Sequence, residues 1–172
     1  MKDFLSLAKE RYSVRKYQDK AIEPEKMEKI LEAAKIAPTA ANKQPFRIYI
    51  LKSEEALSTI RSITTCAFNA PVVLMMTYNE DEQWKNTQEP DIAAGQEDVS
   101  IAATHMMLEA WDLGIASCWV NAFPNSKAAE AFHIPANEKV VLLMPLGYAD
   151  SRAVPSPKHM QYRSMDEVVR EL

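Results

Sequence analysis

Glycine is scarce in this chain of 172 residues, which has only Gly95, Gly114 and Gly147, and no two of them lie close together. Dinucleotide-binding fingerprints and P-loops need closely spaced glycines, because they let the backbone approach a phosphate. Three isolated glycines exclude both motifs. A phosphorylated cofactor would therefore have to be held by side chains, above all by arginines, whose planar guanidinium groups match phosphate oxygens.

Cysteine and long apolar runs are also lacking. Cys66 and Cys118 are too few for a disulfide framework and form no CxxC pair, so we expect small apolar fillers in a reduced, cytoplasmic protein. No window approaches the ~20 apolar residues of a membrane-spanning helix, and the charged first segment lacks the apolar stretch of a signal peptide. No spacing of histidine, cysteine and carboxylate residues suggests a metal site.

The chain has no excess of basic charge. Its net charge is −4 and its pI is near 5.5, whereas neutralising nucleic-acid phosphates requires a basic face. We therefore predict no nucleic-acid partner. The hydrophobic fraction of 47% is ordinary for a globular protein, and neither a repeat nor a Gly/Ser linker interrupts the chain. These features predict one domain over residues 1–172.

The hydrophobic pattern predicts alternating helices and strands. This order indicates an α+β class with a central mixed sheet covered by helices. The predicted helices span residues 3–11, 24–37, 54–63, 91–113, 125–132 and 165–170, and the predicted strands span residues 46–51, 71–77, 117–120 and 140–146.

The helix predicted over residues 91–113 is apolar on almost every side. Such a helix is normally buried, either within a large domain or by a partner subunit. In a chain of this size a homodimer is the more economical explanation. Within this helix we expect Asp98 to make an ordinary polar contact and His105 to be structural, because neither has a partner at catalytic spacing.

The segment Arg11–Arg15 (RYSVR) places two arginines and a serine at alternate positions. If the chain is extended here, Arg11, Ser13 and Arg15 point one way, and Tyr12 and Val14 point the other. Two guanidinium groups and a hydroxyl on one face suit a phosphate. The alternative is a solvated basic turn after a helix, favoured by the helix dipole.

Two later segments could also contact a ligand. Pro38–Phe46 is a polar loop between two prolines, and its Asn42 and Gln44 amides could pair with a heterocycle; the alternative is a plain turn. Leu113–Phe123 runs from a helix into a strand and could offer backbone N–H groups to a ligand. Core packing by its aromatic residues is the alternative for most of that segment.

Together these segments resemble the nitroreductase family of FMN-dependent oxidoreductases. The resemblance is carried by Arg-x-Ser-x-Arg at 11–15, by Pro-x-x-x-Asn-x-Gln-Pro-aromatic at 38–46, and by Leu-Gly-x-x-Ser-Cys-Trp at 113–119. Ala70–Val73 and Leu146–Tyr148 add to it. Each motif is weak alone, but their order and separation make a specific set that covers residues 4–172.

The resemblance implies an intertwined homodimer with FMN at the subunit interface. Arg11 and Ser13 would bind the FMN phosphate, with Lys158 completing that site, and Arg15 would lie near the N1/O2 side of the ring. Arg163 is a poorer match, because the spacing from Lys158 is stretched. The cofactor-binding residues implied are Arg11, Tyr12, Ser13, Val14, Arg15, Pro38, Thr39, Ala40, Asn42, Gln44, Val120, Asn121, Ala122, Lys158 and Arg163.

The partner subunit would supply Pro38, Thr39 and Ala40, and the backbone of residues 120–122 would approach the N5/O4 edge of the flavin. Asn121-Ala122 departs from the family, which has a glycine-bearing turn at this place. Since Ala122 carries a Cβ, the backbone at the N5 edge would lie slightly farther from the flavin or adopt another turn.

The implied activity is NADH- or NADPH-driven ping-pong reduction of nitroaromatics, quinones, flavins or similar acceptors. The flavin carries the chemistry, so no catalytic side chain is expected. The loop at residues 79–90 would set acceptor specificity. Two alternatives stay open: a flavin-binding or sensing module without turnover, and a specialised flavin enzyme such as a reductive dehalogenase or a flavin-cleaving enzyme.

Overall fold

The structure is a computed structural model that describes residues 3–172. Helices and strands alternate in the order that the hydrophobic pattern predicts. The helices are α1 (Phe4–Glu10), α2 (Pro24–Lys35), α3 (Glu54–Ile63), α4 (Gly95–Asp112), α5 (Asn125–Ala131) and α6 (Met165–Val168), and the strands are β1 (Phe46–Leu51), β2 (Val72–Asn79), β3 (Ala116–Ser117) and β4 (Glu138–Gly147).

The four strands form one sheet in the order β1-β2-β4-β3, and each neighbouring pair is antiparallel. The α+β prediction is confirmed, but the prediction of a mixed sheet is wrong for the described residues. Parallel neighbours need a crossover that returns the chain to the end where it started. The segment containing α3 instead joins adjacent ends of β1 and β2, so these strands run in opposite directions.

Both faces of the sheet are covered, which explains the continuous apolar run of β2. Alternate residues of a strand point to opposite faces, and in β2 Leu74 and Met76 belong to one core cluster whereas Val73 and Met75 belong to the other. The first cluster includes residues of α2 and α4, and the second includes residues of α3 and α5. All four of these β2 side chains are fully buried.

The longest helix, α4, begins later than predicted and is buried on one face only. Ala94 donates its backbone N–H to the carbonyl of Trp84 at 3.0 Å, and Lys85 forms an isolated bridge with Ala93, so residues 91–94 lie in a loop. Within the helix Val99, Ala102, Ala103, Met106 and Ala110 are buried, whereas Ile101, Met107, Leu108 and Trp111 remain partly exposed. The single chain thus buries one face of α4, and the predicted burial of its other faces would require a partner subunit.

Gly114 ends α4 with φ +75°, as a left-handed C-terminal residue should. The predicted cap is confirmed, because the Ile115 N–H reaches back to the carbonyl of Ala110 at 2.7 Å. Among residues 3–172, none of the helices combines the length and the apolar character that crossing a membrane would demand.

Candidate functional site

The basic segment at residues 11–15 is extended, as the alternation of side chains requires. Helix α1 ends at Glu10 because Arg11 has β-region backbone angles, φ −63° and ψ 130°. The Val14 side chain is 1% exposed, and its N–H donates to the carbonyl of Ser117 at 3.0 Å. The Tyr12 ring packs edge-on against Trp111 with 5.3 Å between ring centroids. One face of the segment is thereby fixed to the core.

A cavity of about 280 Å³ lies beside this segment. It brings Tyr12, Ser13 and Arg15 together with residues 156–159 of the C-terminal tail, although the two segments are far apart in sequence. The lining residues are Tyr12, Ser13, Arg15, Ser156, Lys158 and His159. Arg15 and Lys158 are positively charged and none of the lining residues is a carboxylate, so this cavity favours an anion.

A tight turn of the tail presents Lys158 to the cavity. Within it the His159 N–H donates to the carbonyl of Ser156 at 2.8 Å, and the Lys158 N–H donates to Ser156 Oγ at 3.2 Å. His159 Nε2 then donates to the carbonyl of Lys9 at 3.0 Å, since a carbonyl oxygen can only accept. The His159 ring also contacts the Tyr12 ring, at 6.1 Å between centroids. The tail is thus held against α1 at the edge of the cavity.

The buried groups behind the cavity are not reactive. Burial raises the pKa of the Cys118 thiol, and Arg15, Ser13 and Arg11 offset part of that rise. Burial also raises the pKa of the Tyr17 hydroxyl, which donates to the carbonyls of Val14 at 2.8 Å and Pro145 at 3.2 Å. A thiol that stays protonated is a poor nucleophile. Cys118 is therefore an apolar filler, as predicted.

Three of the predicted residues around this cavity do not line it. Arg11 lies at the end of α1 and is half-buried, and its charge acts on Cys118. The Val14 side chain is buried in the core, so it can face a ligand only with its backbone. Arg163 is exposed in the tail, beyond the turn that carries Lys158.

The predicted loop at residues 38–44 lies outside the cavity lining of its own chain. It has an unusual backbone, because Ala41, Asn42 and Gln44 have φ values of 50°, 54° and 50°, a region that non-glycine residues rarely adopt. Thr39 Oγ1 accepts the Gln44 N–H at 3.0 Å, and Gln44 Nε2 donates to Asn42 Oδ1 at 3.1 Å. The two predicted amides therefore bind each other within the loop.

This loop is also bound to α4. The Ala40 N–H donates to Asp98 Oδ1 at 2.8 Å, and Asp98 is 1% exposed. Burial raises the pKa of the Asp98 carboxyl, the hydrogen bond from Ala40 opposes that rise, and Glu97 adds to it. Asp98 thus does more than the ordinary helix contact that the sequence predicts.

Part of the segment at residues 119–122, which is predicted to face the ligand, forms hydrogen bonds within the protein instead. The Val120 N–H donates to the carbonyl of Leu143 at 2.9 Å, so it is not available to a ligand. Asn121 Oδ1 accepts Trp119 Nε1–H at 2.5 Å, and Asn121 Nδ2 donates to the carbonyl of Val141 at 3.1 Å. Within residues 3–172 the backbone N–H groups of Asn121 and Ala122 have no acceptor. Of the three predicted donors, only these two remain.

Sequence reasoning missed Ser156, His159 and the role of Asp98. A serine before a proline initiates turns, so Ser156-Pro157 was a usable signal for the turn that presents Lys158. Neither His159 nor Asp98 has a local signal, because their partners Lys9 and Ala40 are far away in the sequence.

A larger cavity of about 550 Å³ lies elsewhere, next to Tyr17. Lys52 and Arg61 share its lining with Asp19 and Glu54. Since its charges are of both signs, it has no net preference for an anion. The smaller cavity remains the better candidate site.

Comparison with known proteins places this geometry in a family. A model of the nitroreductase family matches residues 8–67 and 63–148. A crystal structure of a nitroreductase family protein from Clostridium difficile 630 superposes with a TM-score of 0.91 at 32% identity, covering 98% of each chain. An FMN-dependent nitroreductase from Clostridium difficile R20291 gives a TM-score of 0.74 at 25% identity, covering 95% of this chain and 94% of that one.

A relative from Archaeoglobus fulgidus is 30% identical over 155 residues, which is 86% of each chain; it is provisionally named an NADH dehydrogenase/NAD(P)H nitroreductase. The family match extends over most of the chain and includes both the extended basic segment and the loop bound by Asp98. The chain therefore belongs to the nitroreductase family.

Proposed function

We propose that this protein is an FMN-dependent oxidoreductase that takes electrons from NADH or NADPH and reduces small electrophilic acceptors such as nitroaromatics, quinones or flavins. The family and the FMN-dependent relative support the cofactor and the reaction class. The observation that carries the proposal is the cavity where Ser13, Arg15 and Lys158 converge.

The cavity fits a phosphate monoester. Such a group carries about −1.5 to −2 charges at neutral pH and several strong acceptor oxygens. Lys158 would supply opposite charge to the phosphate, and the Ser13 hydroxyl would supply a further donor. Arg15, which lines the same cavity, would be left to interact with the ring. The scarcity of glycine excludes a backbone cradle, so these side chains would hold the phosphate. Arg11, at the end of α1, would add long-range positive charge.

When bound, FMN would supply the hydride chemistry, accepting electrons from a nicotinamide and passing them to the acceptor. The chain's own residues bind and orient. Arg15 would stabilise negative charge on the reduced ring, and the N–H groups of Asn121 and Ala122 would be free to donate to a ring edge. The thiol of Cys118 is buried and protonated, so it has no role as a nucleophile.

A shared site between two copies of the chain explains several exposed surfaces. Ser100, Ile101, Thr104 and His105 lie on the outer face of α4, and the loop at residues 38–44 is not part of the lining of the cavity in its own chain. Large apolar side chains elsewhere are also exposed, and such patches mark interaction sites. They include Phe4, Leu5, Ile36, Met160, Tyr162, Met165 and Val168.

We expect the protein to be a homodimer in solution and Thr104→Arg to shift it towards monomer. Thr104 is exposed on α4, so a single folded chain should tolerate the arginine, but an interface would have to bury its charge. Light scattering at several protein concentrations gives the mass. Ser126→Arg, on the exposed side of α5, is the matched control. A wild-type monomer that is fully loaded with FMN would contradict the shared site.

We expect Lys158→Met to weaken FMN binding by about 10- to 100-fold, because a charge-assisted hydrogen bond is lost. Riboflavin, which lacks the phosphate, should bind the variant and the wild-type apoprotein equally. Fluorescence titration measures both dissociation constants, with Lys127→Met as the control on α5.

Two outcomes would count against the proposal. Equal losses for riboflavin and FMN would remove Lys158 from a phosphate site. A purified protein that is colourless and gains no flavin spectrum with FMN would overturn the cofactor itself. With FMN bound, steady NAD(P)H consumption in the presence of an acceptor separates an enzyme from a sensing module.

A further inference from the structure

Asp98 is a buried carboxylate whose hydrogen bonding is only half satisfied. It lies near the start of α4 and is 1% exposed, although aspartate is almost never fully buried without a partner. Oδ1 accepts the Ala40 N–H at 2.8 Å. Oδ2 is buried and has no partner among residues 3–172. The carboxylate therefore makes one hydrogen bond, and that bond goes to the loop at residues 38–44.

Stability alone does not explain a carboxylate at this position. A buried polar atom without a partner costs free energy, and a small apolar residue at this buried position would avoid that cost. Burial also raises the pKa of the Asp98 carboxyl, which means that the native fold disfavours its charge. A residue that breaks a local rule of this kind points to a functional requirement.

The loop at residues 38–44, which Asp98 binds, has a strained backbone and depends on a contact from outside the loop to fix its position. Ala41, Asn42 and Gln44 occupy the left-handed region, which is strained for residues other than glycine. The bonds from Gln44 to Thr39 and Asn42 fix the shape of the loop from within. Among residues 3–172, Asp98 provides the side-chain hydrogen bond that fixes where this shaped loop lies relative to α4.

We propose that Asp98 is a positioning residue, which holds the loop at residues 38–44 in the arrangement that it presents to the flavin of the partner subunit. The inference rests on the proposed function, because that function gives the loop its contact with FMN. Asp98 does not touch the cofactor; it acts through the Ala40 N–H. Position 98 requires a hydrogen-bond acceptor at Oδ1, but it does not require a negative charge.

Three variants separate the acceptor from the charge. Asp98→Asn keeps an Oδ1 acceptor for Ala40 and removes the charge. Asp98→Ala removes the acceptor. Ala40→Pro removes the N–H donor instead and leaves Asp98 in place. Thr39 already has φ −134° and ψ 156°, which suits a residue before proline, and proline is tolerated at the first position of a helical turn. Glu97→Ala, at the exposed neighbouring carboxylate, is the control.

The first readout is amide hydrogen exchange of the loop in the apoprotein, which does not involve flavin. We expect exchange of residues 39–44 to be about tenfold faster in Asp98→Ala and Ala40→Pro, since the hydrogen bond that fixes the loop is lost. Asp98→Asn and Glu97→Ala should match the wild type. The second readout is FMN binding with the visible spectrum of the bound flavin. We expect about tenfold weaker binding and an altered spectrum in the first two variants, and recovery of both in Asp98→Asn.

Unchanged exchange in Asp98→Ala and Ala40→Pro would overturn the positioning role. Faster exchange with unchanged FMN binding and an unchanged spectrum would show that the loop is held by Asp98 but does not serve the flavin, which overturns the inference while leaving the phosphate cavity intact. A melting temperature that falls equally in Asp98→Asn and Asp98→Ala, with FMN affinity falling in parallel, would indicate a purely structural role. If Asp98→Ala does not fold, Ala40→Pro gives the same test.

Discussion

Gly147→Ala is expected to destabilise the protein by about 3 kcal/mol, towards the upper end of the range for overpacking a core. A Cβ at Gly147 would lie 2.8 Å from Pro71 Cδ and 3.1 Å from Tyr17 Cδ1. Neither neighbour can easily move, since Pro71 is a rigid ring next to β2 and the Tyr17 hydroxyl is bound to two carbonyls. Gly147 also pairs with Ala116 at the junction of β4 and β3.

Urea denaturation at a fixed protein concentration measures this loss, because the stability of an oligomer depends on concentration. Gly114→Ala is the matched control. A Cβ at Gly114 meets nothing within 4 Å, but φ is +75°, so only backbone strain of about 1 kcal/mol is expected there. If Gly147→Ala costs no more than Gly114→Ala, the contact between Gly147 and Pro71 is not a constraint on the fold.

Arg15→Gln is expected to lower the midpoint potential of the bound flavin and to slow its reduction by NAD(P)H about tenfold. The substitution keeps a polar, though shorter, side chain and removes a cation from the cavity. A cation near the ring stabilises the charge that reduction creates. Since 1.4 kcal/mol corresponds to about 30 mV for a two-electron couple, a tenfold effect predicts a decrease of about 30 mV.

Reductive titration against a reference dye measures the potential, and Lys16→Gln provides the control, because this neighbouring lysine is exposed and does not line the cavity. The ring contact predicts the same decrease with riboflavin as with FMN. An unchanged potential together with weaker binding of FMN but not of riboflavin would assign Arg15 to the phosphate, next to Lys158.

The local elements were predictable because their signals are local. The strand at Phe46–Leu51 and the helix at Glu54–Ile63 agree with the prediction to the residue, since alternation and helical spacing of apolar residues depend only on neighbours. The side-chain alternation at residues 11–15 follows in the same way. The start of α4 was predicted four residues too early, because apolar Ile92 lies in a loop that backbone contacts with Trp84 and Lys85 hold.

The candidate site was predictable only in part. The types of residue at Ser13, Arg15 and Lys158 indicate anion binding, and the family resemblance assigned them to one site. The Val120 N–H was predicted to face the ligand, yet it bonds to Leu143, and a strand partner so distant in sequence leaves no local signature. The prediction of a mixed sheet was wrong for the same reason. Whether two strands pair in parallel or antiparallel depends on the path of the chain between them, which has no local signature.

The scarcity of glycine by itself determined that a phosphate would have to be held by side chains, and the alternation at residues 11–15 offered two arginines and a serine for this purpose. Only the tertiary structure decided which other groups join them. It brought the turn with Lys158 and His159 onto that segment and bound the loop at Ala40 to the buried Asp98. Residue type and spacing fix what a side chain can do, whereas packing over long sequence distances fixes which side chains meet.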